Sequence, residues 1–245
     1  MKIADIRRLQ QRKHREESGF FLVEGEHLVL ELQKAAARDP RLRASQLYVT
    51  PEHAQWESPF TRHVISPRDM AQISQTPSPQ GIVAVVPLLT APAAMPGERA
   101  IYLHGIQDPG NLGTILRTLA WFGGFRCLLG PGSVDLHNGK TVRASMGGLF
   151  HVPVESAVPL EALAQRFPRI ACLGLQGAPI SAPAFRDFDC YLFGSEAGGL
   201  PPDTPPGVLA HAFTIAGQGG VESLNLATAV NICQYELHRR SAPGL

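Results

Sequence analysis

Three glycine-containing segments hold the polar side chains whose types and spacing could do chemistry. The first runs Asp108-Pro109-Gly110-Asn111-Leu112-Gly113-Thr114-Ile115-Leu116-Arg117-Thr118. Asn111 is placed to cap the helix that follows, because its side-chain oxygen can satisfy an orphan backbone N–H. Leu112, Ile115, Leu116 and Leu119 recur at helical spacing as a buried stripe, and Arg117 projects off its side. The second segment is Leu192-Phe193-Gly194-Ser195-Glu196-Ala197-Gly198-Gly199-Leu200-Pro201. Its glycines let a ligand approach the backbone closely, and Glu196 is the only charge in it. The third, Ile215 to Leu226, opens into Gly217-Gln218-Gly219-Gly220 and brings Ser223 and Asn225 to the start of the last helix. Capping explains both residues and leaves a second role toward a ligand open.

Two nucleotide motifs fail. Gly139-Lys140-Thr141 has the ending of a phosphate-binding P-loop, but its leading glycine would fall on Val134. Gly130-Pro131-Gly132 follows a strand as a dinucleotide fingerprint would, yet the third glycine position is Asp135, whose carboxylate would oppose a pyrophosphate. Both read as turns.

The elements that must position these segments alternate. Phe20–Val23 is a short apolar strand, and Leu28, Val29, Leu32, Ala35 and Ala36 mark one face of a helix. Strands follow at 46–50, 62–66 and 81–86, with a short helix opening at Pro67. Pro87 to Gly97 is uncharged and rich in Pro and Ala, the composition of a semi-rigid linker. Beyond it, strands at 101–104, 125–129, 169–173, 190–193 and 212–215 are separated by helical or Gly/Pro-rich stretches. A last amphipathic helix carries Leu226, Ala229, Val230, Cys233 and Leu237. This rhythm predicts an α/β fold with a mostly parallel sheet covered on both faces, behind a smaller α/β unit. The boundaries are 1–88 for the first unit, 89–98 for the linker and 99–245 for the second. Each of the three glycine-containing loops follows an expected strand, and open α/β sheets bind ligands beyond the carboxyl ends of their strands.

Composition narrows the partners. The chain has 245 residues, 44% of them hydrophobic and 18% charged, which excludes wholesale disorder. With 22 Lys and Arg against 21 Asp and Glu, no global field attracts nucleic acid, so RNA would be held through local patches. Arg7, Arg8, Arg12, Lys13 and Arg15 form one such patch and are candidate RNA contacts. Cys127, Cys172, Cys190 and Cys233 show no metal or redox spacing and read as buried thiols of a reducing compartment. No metal is called for. Met70 to Gly97 carries no charge over the length of a membrane span, but five prolines interrupt it. No secretory signal opens the sequence, so a cytoplasmic protein without membrane contact is expected.

The second unit resembles the SpoU (TrmH-like) branch of the SPOUT RNA methyltransferases. That family's motifs, approximately N-L-G-x-x-x-R-T, G-x-E-x-x-G-L and S-L-N-x-x-x-A, match Asn111 to Thr118, Gly194 to Leu200 and Ser223 to Ala229 in order and spacing. Lys140 to Gly147 is also typical, and the likeness covers Ile101 to about Arg240. Leu119-Ala120 and Leu226-Ala227 depart from the usual Ala-Asp and Val-Ser pairs. The first unit is similar, through Arg15 to Gly25, to a substrate-binding domain related to ribosomal RNA-binding proteins.

The resemblance implies S-adenosylmethionine as cofactor, a ribose 2′-hydroxyl in RNA as acceptor, a homodimer and a deep C-terminal trefoil knot. Knots are nearly absent from proteins generally, so that expectation rests on the likeness alone. The matching cofactor contacts are Leu175, Gly194, Ile215 and Leu224. Arg117, Asn111, Glu196, Ser223 and Asn225 are the matching catalytic positions. A guanidinium has a pKa above about 12 and is a poor base. Arg117 is therefore expected to grip the target phosphate and stabilise the forming alkoxide. Asn111 and Asn225 would orient ribose and loops, with Glu196 and Ser223 bracing Arg117 or the substrate. The first unit favours rRNA over tRNA as substrate. The alternatives are a tRNA 2′-O-methyltransferase and a catalytically silent RNA-binding protein of the same fold. A small-molecule Rossmann-type enzyme would require the glycine fingerprint that Gly130-Pro131-Gly132 fails to complete.

Overall fold

The computed structural model describes residues 1–195, 198–200, 204 and 211–239. Its first unit contains α1 (Ile3–Arg8), α2 (Arg12–Ser18), β1 (Phe20–Glu24), α3 (Glu26–Ala36), β2 (Gln46–Val49), β3 (Thr61–Val64), α4 (Pro67–Ile73) and β4 (Ile82–Pro87). The strands lie in the order β1-β4-β2-β3. β4 is antiparallel to both its neighbours, and β2 and β3 run parallel. Side chains alternate across a strand. Phe21 and Val23 accordingly pack with Val29 and Leu32 of α3, while Leu22 joins Ile6, Leu9, Met70 and Ile73 on the opposite face. The apolar stripe expected on α3 is buried throughout.

The second unit contains β5 (Arg99–Leu103), α5 (Pro109–Phe122), β6 (Phe125–Leu129), α6 (Gly139–Ala144), β7 (Val154–Glu155), α7 (Glu161–Arg166), β8 (Ile170–Pro179), β9 (Cys190–Phe193), β10 (Ala212–Thr214) and α8 (Leu226–His238). Its six strands are ordered β10-β8-β9-β5-β6-β7 and are all parallel. Both faces of the central strands are buried, which is why β5, β6 and β9 read as apolar runs without alternation.

The junction is tightly held. One buried cluster continues from Phe21 and Ile82 in the first sheet to Leu116 and Phe193 in the second unit. Residues 88–98 form no helix or strand, but they are tethered. Leu89 N–H donates to His137 Nε2 at 3.1 Å, and the Pro92 carbonyl accepts from Arg126 at 3.0 Å. Arg126 is itself buried between Glu98 and Glu155.

Arg15 corrects one expectation. Only 3% exposed, it donates through Nε to Asp135 Oδ2 at 3.0 Å, and through Nη1 to the Leu9 carbonyl at 2.8 Å. Its charge is spent locking α2 onto the second unit, so it is a structural cation and not an RNA contact. His137 packs its ring on Phe21 beside this pair. Burial pushes the His137 pKa down to about 4 and keeps the ring neutral near pH 7.

Candidate functional site

The first glycine-containing segment builds the front of α5. Pro109 occupies the first helical turn, and the capping residue is Asp108, whose Oδ1 accepts from Asn111 N–H at 2.8 Å. Asn111 therefore does not cap the helix, contrary to the expectation. The proline explains the offset: its missing N–H and fixed φ suit the first helical position, which makes its predecessor the cap. Asp108 also accepts from Lys140 Nζ at 2.9 Å. Lys140, then the Asn111 N–H, hold the Asp108 carboxyl below its ordinary pKa.

Relieved of capping, the Asn111 side chain is available to the third segment. Asn225 Nδ2 donates to Asn111 Oδ1 at 3.0 Å, while Asn225 Oδ1 caps α8 by accepting from Thr228 N–H at 3.2 Å. One side chain thus performs the capping expected of it and also joins the two helices. A second tie joins the two helices further along, where the Thr118 hydroxyl donates to Asn231 Oδ1.

Glycines set how closely the surrounding pieces approach. A Cβ on Gly113 would lie 2.5 Å from Ala144 Cβ and 2.6 Å from the Thr141 carbonyl oxygen, so α6 presses directly on α5. At the end of β9, a Cβ on Gly194 would lie 2.1 Å from the Gly199 carbonyl carbon. The loop folds back there: Ser195 N–H donates to Gly199 O at 2.8 Å, and Gly199 N–H returns a bond of 3.0 Å to Ser195 O. Glu196 lies outside the described residues.

β10, β8 and β9 are adjacent and parallel, so their carboxyl ends point the same way. Leu173 of β8 pairs with Phe193 of β9, immediately before Gly194. Ala212 pairs with Cys172 but Phe213 pairs with Ala178, so residues 173–177 bulge out of the β8–β10 ladder. Leu175 sits on that bulge and is 75% exposed. Ile215 follows β10 directly and is half-buried, and Leu224, beside Asn225, is 46% exposed. Gly194 and Ile215 thus directly follow β9 and β10, and Leu175 lies within β8, which neighbours both. The second unit matches the SpoU rRNA methylase family over residues 98–235.

The chain belongs to that family. Residues 1–84 match an MRM3-like substrate binding domain. Over 240 residues the chain is 29% identical to the 23S rRNA (guanosine(2553)-2′-O)-methyltransferase RlmP of Bacillus subtilis, covering 96% of this chain and 95% of that one. Among solved structures, a TrmH-family protein from Porphyromonas gingivalis superposes with a TM-score of 0.82 at 32% identity, covering 98% and 97% of the two chains. An AdoMet-bound rRNA methyltransferase from Sinorhizobium meliloti gives 0.81 at 27% identity, covering 96% and 93%.

Within this SpoU-family chain, Arg117 is exposed on α5 and makes no hydrogen bond or ion pair among the described residues. Ser223 is exposed and is not bonded to it. At the amino end, Arg7 and Arg8 are exposed on α1. On α2, Arg12 pairs with Glu16 at 2.7 Å and Lys13 with Glu17 at 3.8 Å. All four of these α2 side chains are more than half exposed, so the pairs are weak and exchangeable. The four cysteines are buried, and burial pushes Cys127 and Cys233 up to about 12. Among the described residues no group of His, Cys, Asp and Glu could hold a metal ion, and no helix is long and apolar enough to cross a membrane.

Sequence reasoning missed Asp108, Gly113, Thr118 and Lys140 as parts of this framework. The Asp-Pro pair signalled the first of these. Ala144 and Asn231, the partners of Gly113 and Thr118, lie far along the chain and gave no local sign.

Proposed function

We propose that this chain transfers a methyl group from S-adenosylmethionine to a ribose 2′-hydroxyl of RNA, with rRNA as the substrate class. What supports the reading is that Leu175, Gly194 and Ile215 lie on or directly beyond the neighbouring parallel strands β8, β9 and β10, while Asn225 Nδ2 bonds Asn111 Oδ1 and so ties the third segment to the first. RlmP, named for this reaction on 23S rRNA, and the AdoMet-bound relative support it.

The residues fit such a cofactor. Gly194 lets the 194–199 loop fold back tightly at the end of β9, and the exposed 173–177 bulge offers peptide groups and the apolar Leu175. Leu175, Gly194, Ile215 and Leu224 would hold it. The sulfonium supplies an electrophilic methyl when bound. What remains for the protein is to align the hydroxyl, favour its loss of a proton and exclude water.

Arg117 does the electrostatic part. It grips the target phosphate and lowers the cost of the forming alkoxide, and its charge is not committed to any described carboxylate. Asn111 and Asn225 hold α5 and α8 in register and orient the ribose. Ser223, with Glu196, braces the substrate side.

Residues 1–88 dock RNA, 89–98 tether the units and 99–245 carry the chemistry. Trp121 on α5 and Tyr235 on α8 are 83% and 61% exposed on helices that pack together, a face a second copy of the chain would cover. β9 lies between β8 and β5, although β6 and β7 intervene in sequence, an ordering that a C-terminal knot accommodates. Four buried thiols and an RNA substrate fit a cytoplasmic location.

Arg117→Ala tests the reading. S-adenosylmethionine should still bind by calorimetry, while methyl transfer falls by about 10²–10³-fold, the loss typical of removing one charge-stabilising donor. Near-wild-type transfer would remove Arg117 from the mechanism. A wild-type protein that takes up RNA but no cofactor would be the silent binder instead.

A further inference from the structure

We propose that Arg143, with Lys140 beside it, holds a backbone phosphate of the RNA next to the target ribose. The inference rests on the RNA methyltransferase reading above. It starts from α6, which runs along the seam between the two units with most of its surface covered. Thr141 and Ala144 press on α5 at Gly113. Gly139 abuts the first unit, where an added Cβ would lie 2.2 Å from Gln75 Oε1, and Val142 is buried in the shared core. With about 100° of rotation per residue, Lys140 and Arg143 fall roughly 60° apart on the strip left over.

Arg143 is unusual on that strip. Its Nη1 is buried without a hydrogen-bond partner among the described residues, and no other arginine nitrogen there is left so. Arg15 and Arg126, the two buried arginines among the described residues, have carboxylate partners. Nε and Nη2 make no hydrogen bond among the described residues either and are not buried, so this half-buried guanidinium, which cannot shed its charge, has open donors to offer an anionic acceptor from outside the chain. A phosphodiester oxygen supplies one in a geometry that suits the planar fork.

The location fits the acceptor nucleotide. Roughly 4.5 Å of helix separates Arg143 from Lys140. A Cβ on Gly110 would lie 3.3 Å from Lys140 Cε, so Lys140 touches the front of the helix that carries Asn111 and Arg117. Its pair with Asp108 is largely exposed, with side chains 58% and 41% accessible, and can be exchanged for a phosphate. On the other side of the strip, Glu24 fixes the uncharged loop that carries Gln75. Its Oε2 accepts from Gln75 N–H at 2.8 Å, and its Oε1 from the Thr76 hydroxyl at 2.9 Å. A polar loop tied down by Glu24 therefore adjoins the cationic strip at Gly139.

The test uses the full chain, saturated with S-adenosylmethionine, and an unmodified large-subunit rRNA transcript as probe. Affinity is measured against salt for the wild type, Arg143→Met and Lys140→Gln. Arg143→Met should weaken binding on the order of tenfold at 0.1 M salt and reduce the magnitude of the log–log salt slope by about 0.7–0.9, one phosphate's worth. Lys140→Gln should change both in the same direction. The heat of cofactor binding should not change, and the Arg143→Met melting temperature should hold or rise, because a buried unpaired donor has gone. Wild-type affinity and slope in Arg143→Met, or a lowered melting temperature with an unchanged slope, would overturn the proposal. If Arg143→Met does not fold, Arg143→Gln, which keeps a donor and loses the charge, carries the same test. A protein that binds no S-adenosylmethionine would instead sink the methyltransferase reading, whatever the salt slope does.

Discussion

Gly113→Ala puts the packing that positions the proposed site under direct strain. In an ordinary helix this change stabilises by about 1 kcal/mol, since glycine gives up more backbone freedom than alanine. Here the new methyl would sit 2.5 Å from Ala144 Cβ, 2.6 Å from Thr141 O and 2.8 Å from Ser145 N. Carbon atoms pack at about 3.5–4.0 Å, so α5 and α6 must part by roughly 1 Å. Two of the three obstacles are backbone and cannot swing aside. Overpacking of this kind costs about 1–3 kcal/mol, and with immobile neighbours the upper part of that range applies. The helix preference offsets about 1 kcal/mol, leaving a net loss of roughly 1–2 kcal/mol. For a chain of this size that is a melting temperature lowered by about 2–8 °C. The displacement also pulls Lys140 from Asp108 and disturbs the Asn111–Asn225 bond, and a misplacement of 1 Å can cost about 10²-fold in rate. Denaturant unfolding together with methyl-transfer assays would measure both effects. Adding Ala144→Gly removes one of the three collisions, so the double variant should be less unstable than the sum of its parts. A Gly113→Ala protein as stable as the wild type, or more so, would refute the reasoning.

Arg15→Met should destabilise the chain by about 3–5 kcal/mol, because it leaves Asp135 largely buried without its partner. Urea unfolding reads this, and the RNA salt slope should stay as in the wild type. The opposite pattern would return Arg15 to the RNA surface. His137 makes stability depend on pH. Its folded pKa near 4 lies below the unfolded value of about 6.5, so it has no effect above pH 6.5. As pH falls toward 4 the unfolded chain takes up a proton that the folded one refuses, and about 3 kcal/mol is lost. His137→Asn should remove that part of the acid sensitivity, seen as a flatter urea midpoint between pH 7 and 4.5; an unchanged profile would contradict it. Replacing Arg12 and Lys13 together with Ala should lower the RNA salt slope by about 1.5. Unchanged affinity at low salt would take α2 out of the RNA surface.

Most strands of the second unit were legible because each is a short apolar run between breakers. β6 and β9 have the limits read from the sequence, bounded by glycine or aspartate. β8 runs on to Pro179, beyond the expected end, because residues 174–179 are exposed and carry no periodic signal. Their strand character comes from β10, a partner more than thirty residues away. Short elements escaped for a related reason: α6 has six residues and β7 two, too few for a pattern to repeat.

The proposed site was legible in residue type more than in role. Asn225 caps its helix as expected, whereas the cap assigned to Asn111 belongs to Asp108, a shift the adjoining proline had signalled. Arg15 looked like its neighbours in a basic cluster. Arg12 and Lys13 reach glutamates four residues on, which is visible in the sequence, but the partner of Arg15 lies 120 residues away. Only the packed seam shows which cation faces inward.

The central claim is tested most directly by incubating the purified chain with isotopically labelled S-adenosylmethionine and unmodified large-subunit rRNA, then mapping the label by nuclease digestion. The expected result is label on one ribose 2′-oxygen, appearing about 10²–10³-fold more slowly with Arg117→Ala. Label on a base, or no transfer to RNA while the cofactor binds, would contradict it.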